Sequence, residues 1–108
     1  MTINGYQGSA LRTANKKCLD LNNVGLGITG EAGECADIIK KHMFHGHPLD
    51  KEALAKELGD VCWYIAVTAH LIGYELEDIM ELNIYKLNTR YPQGFDEQKS
   101  INREEHKK

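Results

Sequence analysis

Hydrophobic residues along the chain recur at helical spacing in four stretches, and no segment shows the alternation that a half-buried strand requires. The pattern predicts helices over about residues 2–21, 31–43, 50–73 and 76–90. The glycine-rich residues 22–30 are compatible with a loop or with a permissive start of the second helix. The sequence therefore predicts an all-α fold, organised as a bundle of four helices.

The third predicted helix has the clearest start signal and is apolar around most of its circumference. Asp50 suits the N-cap position, and Leu49 can pack on Leu54 across it as a hydrophobic staple. No Asp, Glu, Lys or Arg occurs between Asp60 and Glu75. A helix that is apolar all round is expected to be buried all round. Three other short helices cannot cover it, so we expect a homo-oligomer, either a dimer or a dimer-based tetramer.

Three apolar faces at helical spacing are expected to point into the bundle. They consist of Ala32, Cys35, Ala36, Ile39 and Met43 on the second helix, Leu54, Leu58, Val61, Cys62, Ile65, Ala69 and Ile72 on the third, and Ile79, Leu82, Ile84 and Leu87 on the fourth. Residues 96–108 are polar and mixed in charge, so we expect them to form a C-terminal tail.

The composition narrows the class of protein. At 108 residues the chain forms one domain, and its hydrophobic fraction of 42% and charged fraction of 27% are typical of a soluble globular protein. The net charge of −3 gives no electrostatic basis for binding nucleic acid or an anionic membrane. No apolar run approaches the roughly 20 residues that span a bilayer, and the N-terminus lacks the features of a signal peptide. Three cysteines without a Cys-x-x-Cys pair are typical of reduced thiols, so we expect a cytoplasmic protein.

Two pairs of acidic residues stand out at i, i+3 spacing. They are Glu31 with Glu34 and Glu57 with Asp60. Residues three apart lie on one face of a helix, so each pair directs two carboxylates the same way. Each pair also encloses a glycine, Gly33 or Gly59, which suggests that another backbone or a ligand comes close there.

The four acids would meet if the second and third helices pack antiparallel. Four like charges beside a core repel one another and lose hydration, which costs several kcal/mol per ion unless it is compensated. A divalent cation supplies that compensation, and ligands that are all oxygen favour Mg²⁺ or Mn²⁺. Spacing alone also leaves open two ordinary solvated helix faces.

The acids lie within longer segments that follow one another along the chain. The segments are Gly30-Glu31-Ala32-Gly33-Glu34 through Lys40-Lys41, Glu57-Leu58-Gly59-Asp60-Val61-Cys62-Trp63-Tyr64, Asn83-Ile84-Tyr85-Lys86-Leu87 and Arg90-Tyr91-Pro92-Gln93-Gly94-Phe95. This arrangement, which covers most of residues 4–98, resembles the MazG-like all-α nucleoside triphosphate pyrophosphohydrolases. The resemblance implies a four-helix-type bundle completed by oligomerisation, with residues 1–95 as the pyrophosphohydrolase domain and 96–108 as the tail.

The resemblance also implies a reaction. Such an enzyme depends on magnesium, cleaves the α–β phosphoanhydride of a nucleoside triphosphate, and releases the monophosphate and pyrophosphate. The catalytic residues and metal ligands, for Mg²⁺ or for Mn²⁺ in its place, would be Glu31, Glu34, Glu57 and Asp60. One of them, in the second shell of ligands, could orient the attacking water. The implied role is removal of unwanted or damaged nucleotides from the pool.

Substrate contacts are implied for four further residues. They are Tyr64, Asn83, Lys86 and Arg90. The last three lie one turn apart and form one polar face of the fourth helix, which also fits an ordinary solvated face. Lys41 lies on the same flank of the second helix as Glu34, so it is another candidate for binding the polyphosphate. Trp63 is compatible with stacking on a base or with packing in a subunit interface.

Two other motifs are compatible with different chemistry. Residues 25–30 fit the pattern G-x-G-x-x-G, but a dinucleotide site also needs a strand before the loop, and residues 16–21 make a poor strand. His42, His45 and His47 could bind zinc, although such histidines more often decorate the end of a helix, where their charge suits the dipole.

Two other functions stay open at this point. The first is a ferritin-like di-iron carboxylate protein, but its usual Glu-x-x-His pairs are missing because Glu34 and Asp60 occupy the histidine places. The second is a non-catalytic helical interaction module, whose acids bind a structural cation or only solvent.

Overall fold

The computed structural model describes residues 1–102, apart from the side chain of Lys99. The elements are α1 (Ile3–Leu11), α2 (Leu21–Phe44), α3 (Lys51–Leu71), α4 (Leu76–Arg90) and α5 (Glu97–Ile101). Within residues 1–102 there is no strand, only an isolated bridge between Pro92 and Gly94. The predicted all-α fold is therefore confirmed. No helix in this part of the chain is both long and apolar enough to cross a membrane.

The first helix is much shorter than predicted, because α1 ends at Leu11. Beyond it the side chain of Asn15 accepts hydrogen bonds from the backbone N–H groups of Lys17 and Cys18, at 3.0 and 3.1 Å. Asparagine side chains compete with the helical backbone for such donors and favour turns. The helix predicted over residues 2–21 is consequently wrong after Leu11.

The second helix begins earlier than predicted, at Leu21. Asp20 is its N-cap, and its carboxylate accepts hydrogen bonds from the backbone N–H groups of Asn22 and Asn23, at 2.8 and 3.3 Å. Residues 22–30 therefore form the first turns of a helix rather than a loop. This arrangement excludes the dinucleotide site, since the G-x-G-x-x-G segment lies inside α2 and turns precede it.

The predicted boundaries of the next two helices are confirmed within a residue or two. The side chain of Asp50 caps α3 and accepts a hydrogen bond from the backbone N–H of Ala53 at 3.0 Å. After α3, Gly73 adopts a φ of 85°, a left-handed conformation that favours glycine and ends the helix. α4 covers the predicted residues 76–90.

The chain divides into two compact units, and the first comprises Met1–Leu76. Within it, α2 packs mainly against α3, and α1 packs against α3. A core cluster consists of the buried residues Ala10, Ala66 and Leu76, with Tyr6 and Trp63 packed against it. The second unit begins at Glu77 and contains the rest of α4 and all of α5.

Hydrogen bonds of the Gln7 side chain connect α1 to the rest of the first unit. The buried side-chain amide of Gln7 donates hydrogen bonds to the carbonyls of Ala66 and Tyr74, at 3.1 and 3.2 Å. Its side-chain oxygen accepts a hydrogen bond from the backbone N–H of Leu76 at 2.9 Å. A buried amide with all three of these bonds satisfied holds three segments in register.

The apolar faces are more exposed within this chain than the sequence predicts. On α3 the fully buried residues are Ala66, Val67 and Ala69, of which only Ala69 belongs to the predicted face. Large residues predicted to point inward are instead exposed, namely Ile39, Met43, Leu58, Ile65, Ile72, Leu82, Ile84 and Leu87. The inward assignment of these residues is therefore wrong for the single chain.

Candidate metal and nucleotide site

α2 and α3 run antiparallel, which is the condition for the acid pairs to meet. Gly27 in the first half of α2 lies against Tyr64 in the second half of α3. One turn later on α2, Glu31 approaches Glu57 and Asp60, which lie one to two turns earlier on α3. Because residue numbers rise along α2 as they fall along α3, the two helices point in opposite directions.

Three of the four predicted acids form one group, which we call the carboxylate cluster. It consists of Glu31, Glu57 and Asp60, and one oxygen atom of each lies within 4.8 Å of the others. Glu31 and Glu57 are half-buried, and Asp60 is exposed. The fourth acid, Glu34, is exposed and stands outside this group, although its charge acts on Glu31. Its role as a metal ligand stays a prediction.

The carboxylate cluster disfavours its own negative charge. A hydrogen bond with Glu57 raises the pKa of Glu31, and desolvation and the charges of Asp60, Glu57 and Glu34 raise it further. Cys35, a buried residue one turn after Glu31, lies beside the same acids. Desolvation raises the pKa of its thiol first, and the charges of Glu57 and Glu31 add to the effect. The site therefore gains from any ligand that brings positive charge.

The donor atoms of the carboxylate cluster fit a hard divalent cation. Oxygen ligands of one Mg²⁺ lie about 3.0 Å apart when they are adjacent and about 4.2 Å apart when they are opposite, since each bond is about 2.1 Å long. The three carboxylate oxygens lie within 4.8 Å of one another, which is compatible with their turning toward one ion. The cluster contains no histidine, whereas a ferritin-like di-iron site draws on Glu-x-x-His pairs.

A pocket of about 260 Å³ opens beside the carboxylate cluster. Its lining combines carboxylates with aromatic rings, namely Glu31, Asp60, Trp63 and Tyr64. One part of the wall can hold positive charge, and the other offers flat apolar surface. Tyr64, a predicted substrate contact, thus lies at the same pocket as two of the acids.

The position of Tyr64 depends on a glycine of α2. A Cβ added to Gly27 would lie 2.6 Å from Cδ1 of the Tyr64 ring and closer still to Cε1 and Cζ. The close approach predicted at Gly33 and Gly59 does not occur among the described residues, because a Cβ at either would meet nothing within 4 Å there. The glycine that permits close packing is therefore Gly27, one turn before Glu31.

Comparison with known proteins agrees with this geometry. Residues 20–95 match the model of the MazG nucleotide pyrophosphohydrolase domain, which is more than half of the chain. The protein belongs to the MazG family. It is also 33% identical over 87 residues to the "Gene 37 protein" of Mycobacterium phage L5, a match that covers 77% of this chain and 76% of the phage protein. No solved structure matches the chain significantly.

The remaining predicted contacts of this MazG protein lie on α2 and α4. Lys41 forms an ion pair with Asp37 at 2.9 Å, and this hydrogen bond raises the pKa of Lys41. On α4, Asn83 and Lys86 are exposed and Arg90 is half-buried. These three residues belong to the second unit, and their contact with substrate stays a prediction.

Three residues that support α1 and the wall of the pocket were not predicted. Gly27 supports Tyr64, Gln7 anchors α1, and Thr13 holds the indole of Trp63. For Gly27 a signal was available, since it lies one turn before Glu31 on the same face of α2. For Gln7 and Thr13 there was none, because their partners lie 50 or more residues away in the chain.

Proposed function

We propose that this protein is a magnesium-dependent nucleoside triphosphate pyrophosphohydrolase. It cleaves the α–β phosphoanhydride and releases a nucleoside monophosphate and pyrophosphate. The observation that carries this proposal is the convergence of Glu31, Glu57 and Asp60 from two helices beside a pocket lined with aromatic rings. Membership of the MazG family supports the same class of reaction.

The acids would act by holding Mg²⁺ against the polyphosphate. When bound, the ion neutralises phosphate charge and lowers the pKa of an attacking water. Glu31 and Glu57 supply half-buried ligand oxygens and Asp60 an exposed one. Glu34 is exposed and close enough to raise the pKa of Glu31, so it would supply a further metal ligand or orient the water.

The nucleoside would occupy the aromatic side of the pocket, against Trp63 and Tyr64. A volume of about 260 Å³ suits part of a nucleotide rather than the whole, so the phosphates extend past the acids. The assignment of Asn83, Lys86 and Arg90 to the polyphosphate rests on family resemblance. Lys41 is available for the same purpose, because an exposed ion pair such as Lys41–Asp37 is screened by solvent and exchanges partners easily.

The exposed apolar residues of α2 and α3 support assembly into a homo-oligomer, a dimer or a dimer-based tetramer. Large side chains such as Phe44 and Leu58 are exposed by 79% and 52% in the single chain. Burial of apolar surface stabilises by about 25 cal/mol per Å², so such faces favour association. Light scattering should give a multimer, and Leu58→Lys should weaken it. A monomeric wild type would contradict this part of the proposal.

The direct test of the activity is a screen of nucleoside triphosphates with Mg²⁺. Canonical and modified substrates are incubated with the protein, and pyrophosphate is measured against orthophosphate. We expect pyrophosphate and a nucleoside monophosphate as the first products, with no turnover when the metal is chelated. Orthophosphate as the first product would show that a different bond is cut. Preference for modified bases would support a role in cleaning the nucleotide pool.

A further inference from the structure

The end of α1 holds the indole of Trp63 at the pocket. The indole N–H donates a hydrogen bond to the hydroxyl oxygen of Thr13 at 2.8 Å and a second, at 3.2 Å, to the carbonyl of Ala10. The Thr13 hydroxyl donates in turn to the same carbonyl of Ala10 at 2.7 Å. These three groups form a closed hydrogen-bonded set, which ties the edge of the indole to the first helix.

The rest of the indole is restrained by packing. It lies against the core cluster and meets the ring of Tyr64 edge to face, with centroids 5.0 Å apart and planes at 83°. A tryptophan side chain has few rotatable bonds, so one edge bond and one ring contact leave it little freedom. The aromatic part of the pocket wall therefore depends on the bond between Trp63 and Thr13.

Only one of the two residues that make this bond lies in the part of the chain that matches the family model. Trp63 lies inside the matched residues 20–95, whereas Thr13 and α1 precede them. We propose that Thr13 is a positioning residue, which fixes the Trp63 indole as the aromatic wall for the nucleoside part of the substrate. This inference rests on the proposed function, because it takes the pocket to be the nucleotide site.

The expected effect on substrate binding follows from the cost of orienting the Trp63 indole. A wall that is already oriented spares the substrate the cost of ordering it, and the benefit appears in binding rather than in the chemical step. Loss of one neutral hydrogen bond corresponds to a change of about two- to tenfold in the dissociation constant. We therefore expect a rise in KM of this order with little change in kcat.

Two substitutions at Thr13 separate the hydroxyl from the rest of the side chain. Thr13→Val keeps the shape and removes the acceptor, whereas Thr13→Ser keeps the acceptor. Thr89→Val is the matched control, since within residues 1–102 the Thr89 hydroxyl bonds only its own helix, to the carbonyl of Tyr85 at 2.9 Å. Trp63 is the only tryptophan in the chain, so the intrinsic fluorescence excited at 295 nm reports its surroundings alone.

The first measurement is the fluorescence of the protein without nucleotide. In Thr13→Val we expect a red-shifted emission and stronger quenching by acrylamide. Thr13→Ser and Thr89→Val should match the wild type. Unchanged emission and quenching in a folded Thr13→Val would overturn the inference, because the bond would then not hold the ring.

The second measurement is calorimetric binding of the α,β-methylene analogues of the four deoxynucleoside triphosphates, each separately with Mg²⁺. Thr13→Val should raise the dissociation constant about two- to tenfold for whichever analogue the wild type binds, and Thr13→Ser should restore it. Unchanged affinity in Thr13→Val would overturn the positioning role alone and leave the proposed function intact. A wild type that binds none of the analogues would overturn both.

A further variant guards against misfolding of Thr13→Val. Trp63→Phe removes the N–H donor and keeps an aromatic ring, so it should raise the dissociation constant by a similar factor. Adding Thr13→Ala to Trp63→Phe should then have no additional effect on binding. Independent, multiplicative effects of the two changes would contradict a role of Thr13 that acts through Trp63.

Discussion

The ring of Tyr64 on α3 lies directly against the backbone of Gly27 on α2, with no room for a Cβ between them. This contact sets the separation of the two helices one turn before Glu31, the α2 member of the carboxylate cluster. A side chain at position 27 would push the helices apart or displace the ring. The geometry of the site therefore depends on a residue that carries no functional group.

The first prediction follows from that contact. In Gly27→Ala the added methyl group overlaps the ring atoms of Tyr64, which should cost about 1–3 kcal/mol of the free energy of unfolding. Alanine returns about 1 kcal/mol in a helix interior, so we expect a net loss of up to about 2 kcal/mol. Urea denaturation followed by circular dichroism measures the difference.

Gly25→Ala is the matched control for that experiment. Gly25 lies in the same helix, and a Cβ there would meet nothing within 4 Å. Its substitution should stabilise the protein by up to about 1 kcal/mol. If Gly27→Ala stabilised the protein to the same extent, the packing of Tyr64 on α2 would not contribute to stability.

The second prediction concerns the pH dependence of stability without metal. Because a hydrogen bond with Glu57 and nearby negative charges raise the pKa of Glu31 above its ordinary value of 4.5, the folded protein holds this proton more tightly than the unfolded chain. The resulting stabilisation is fully present below pH 4.5 and is lost as the pH rises through the raised pKa. Glu31→Gln should remove this component, so its melting temperature should fall less than that of the wild type between pH 4.5 and neutrality.

Mg²⁺ should stabilise the wild type more than Glu31→Gln. Near neutral pH it should raise the melting temperature of the wild type, by compensating the repulsion within the carboxylate cluster, and raise that of Glu31→Gln much less. Scanning calorimetry with chelator or with Mg²⁺ gives both values. Parallel pH profiles for wild type and Glu31→Gln in chelator would contradict this account of the site.

The third prediction addresses catalysis. Glu57→Gln should reduce kcat/KM for nucleoside triphosphate hydrolysis by at least about 100-fold, because a metal contributes several kcal/mol to the transition state and this change removes a charged ligand. Glu52→Gln is the control, since Glu52 lies on the same helix in an exposed ion pair with Lys56 at 3.4 Å. Full activity in Glu57→Gln would exclude the carboxylate cluster as the catalytic centre.

The fourth prediction concerns the anchoring of α1. Gln7→Leu should lower the free energy of unfolding by about 1–3 kcal/mol, because it leaves the N–H of Leu76 and the carbonyl of Tyr74 without the partners they have now. Gln93→Leu, at an exposed position, should change it by less than about 0.5 kcal/mol. If Gln7→Leu and Gln93→Leu had equally small effects in denaturant titrations, water would be replacing the hydrogen bonds of the Gln7 amide.

The ends of helices were predictable where a single residue determines them. Asp50 and Gly73 marked the ends of α3, because a cap and a left-handed glycine act within one turn. The end of α1 at Leu11 was missed, since the apolar spacing continues past it. There the side chain of Asn15 redirects the backbone into turns, an effect that periodicity does not register.

The sequence by itself determined the helical class of the fold, the pairing of acids on single helix faces and the family to which the chain belongs, because each of these depends on residues a few positions apart or on the order of segments. Only the tertiary structure decided that Glu31, Glu57 and Asp60 converge while Glu34 stands aside, since this depends on how α2 is rotated against α3. It also decided that Gly27 lies against Tyr64 and that Thr13 accepts a hydrogen bond from Trp63. Such contacts join residues far apart in the chain, and local spacing carries no information about them.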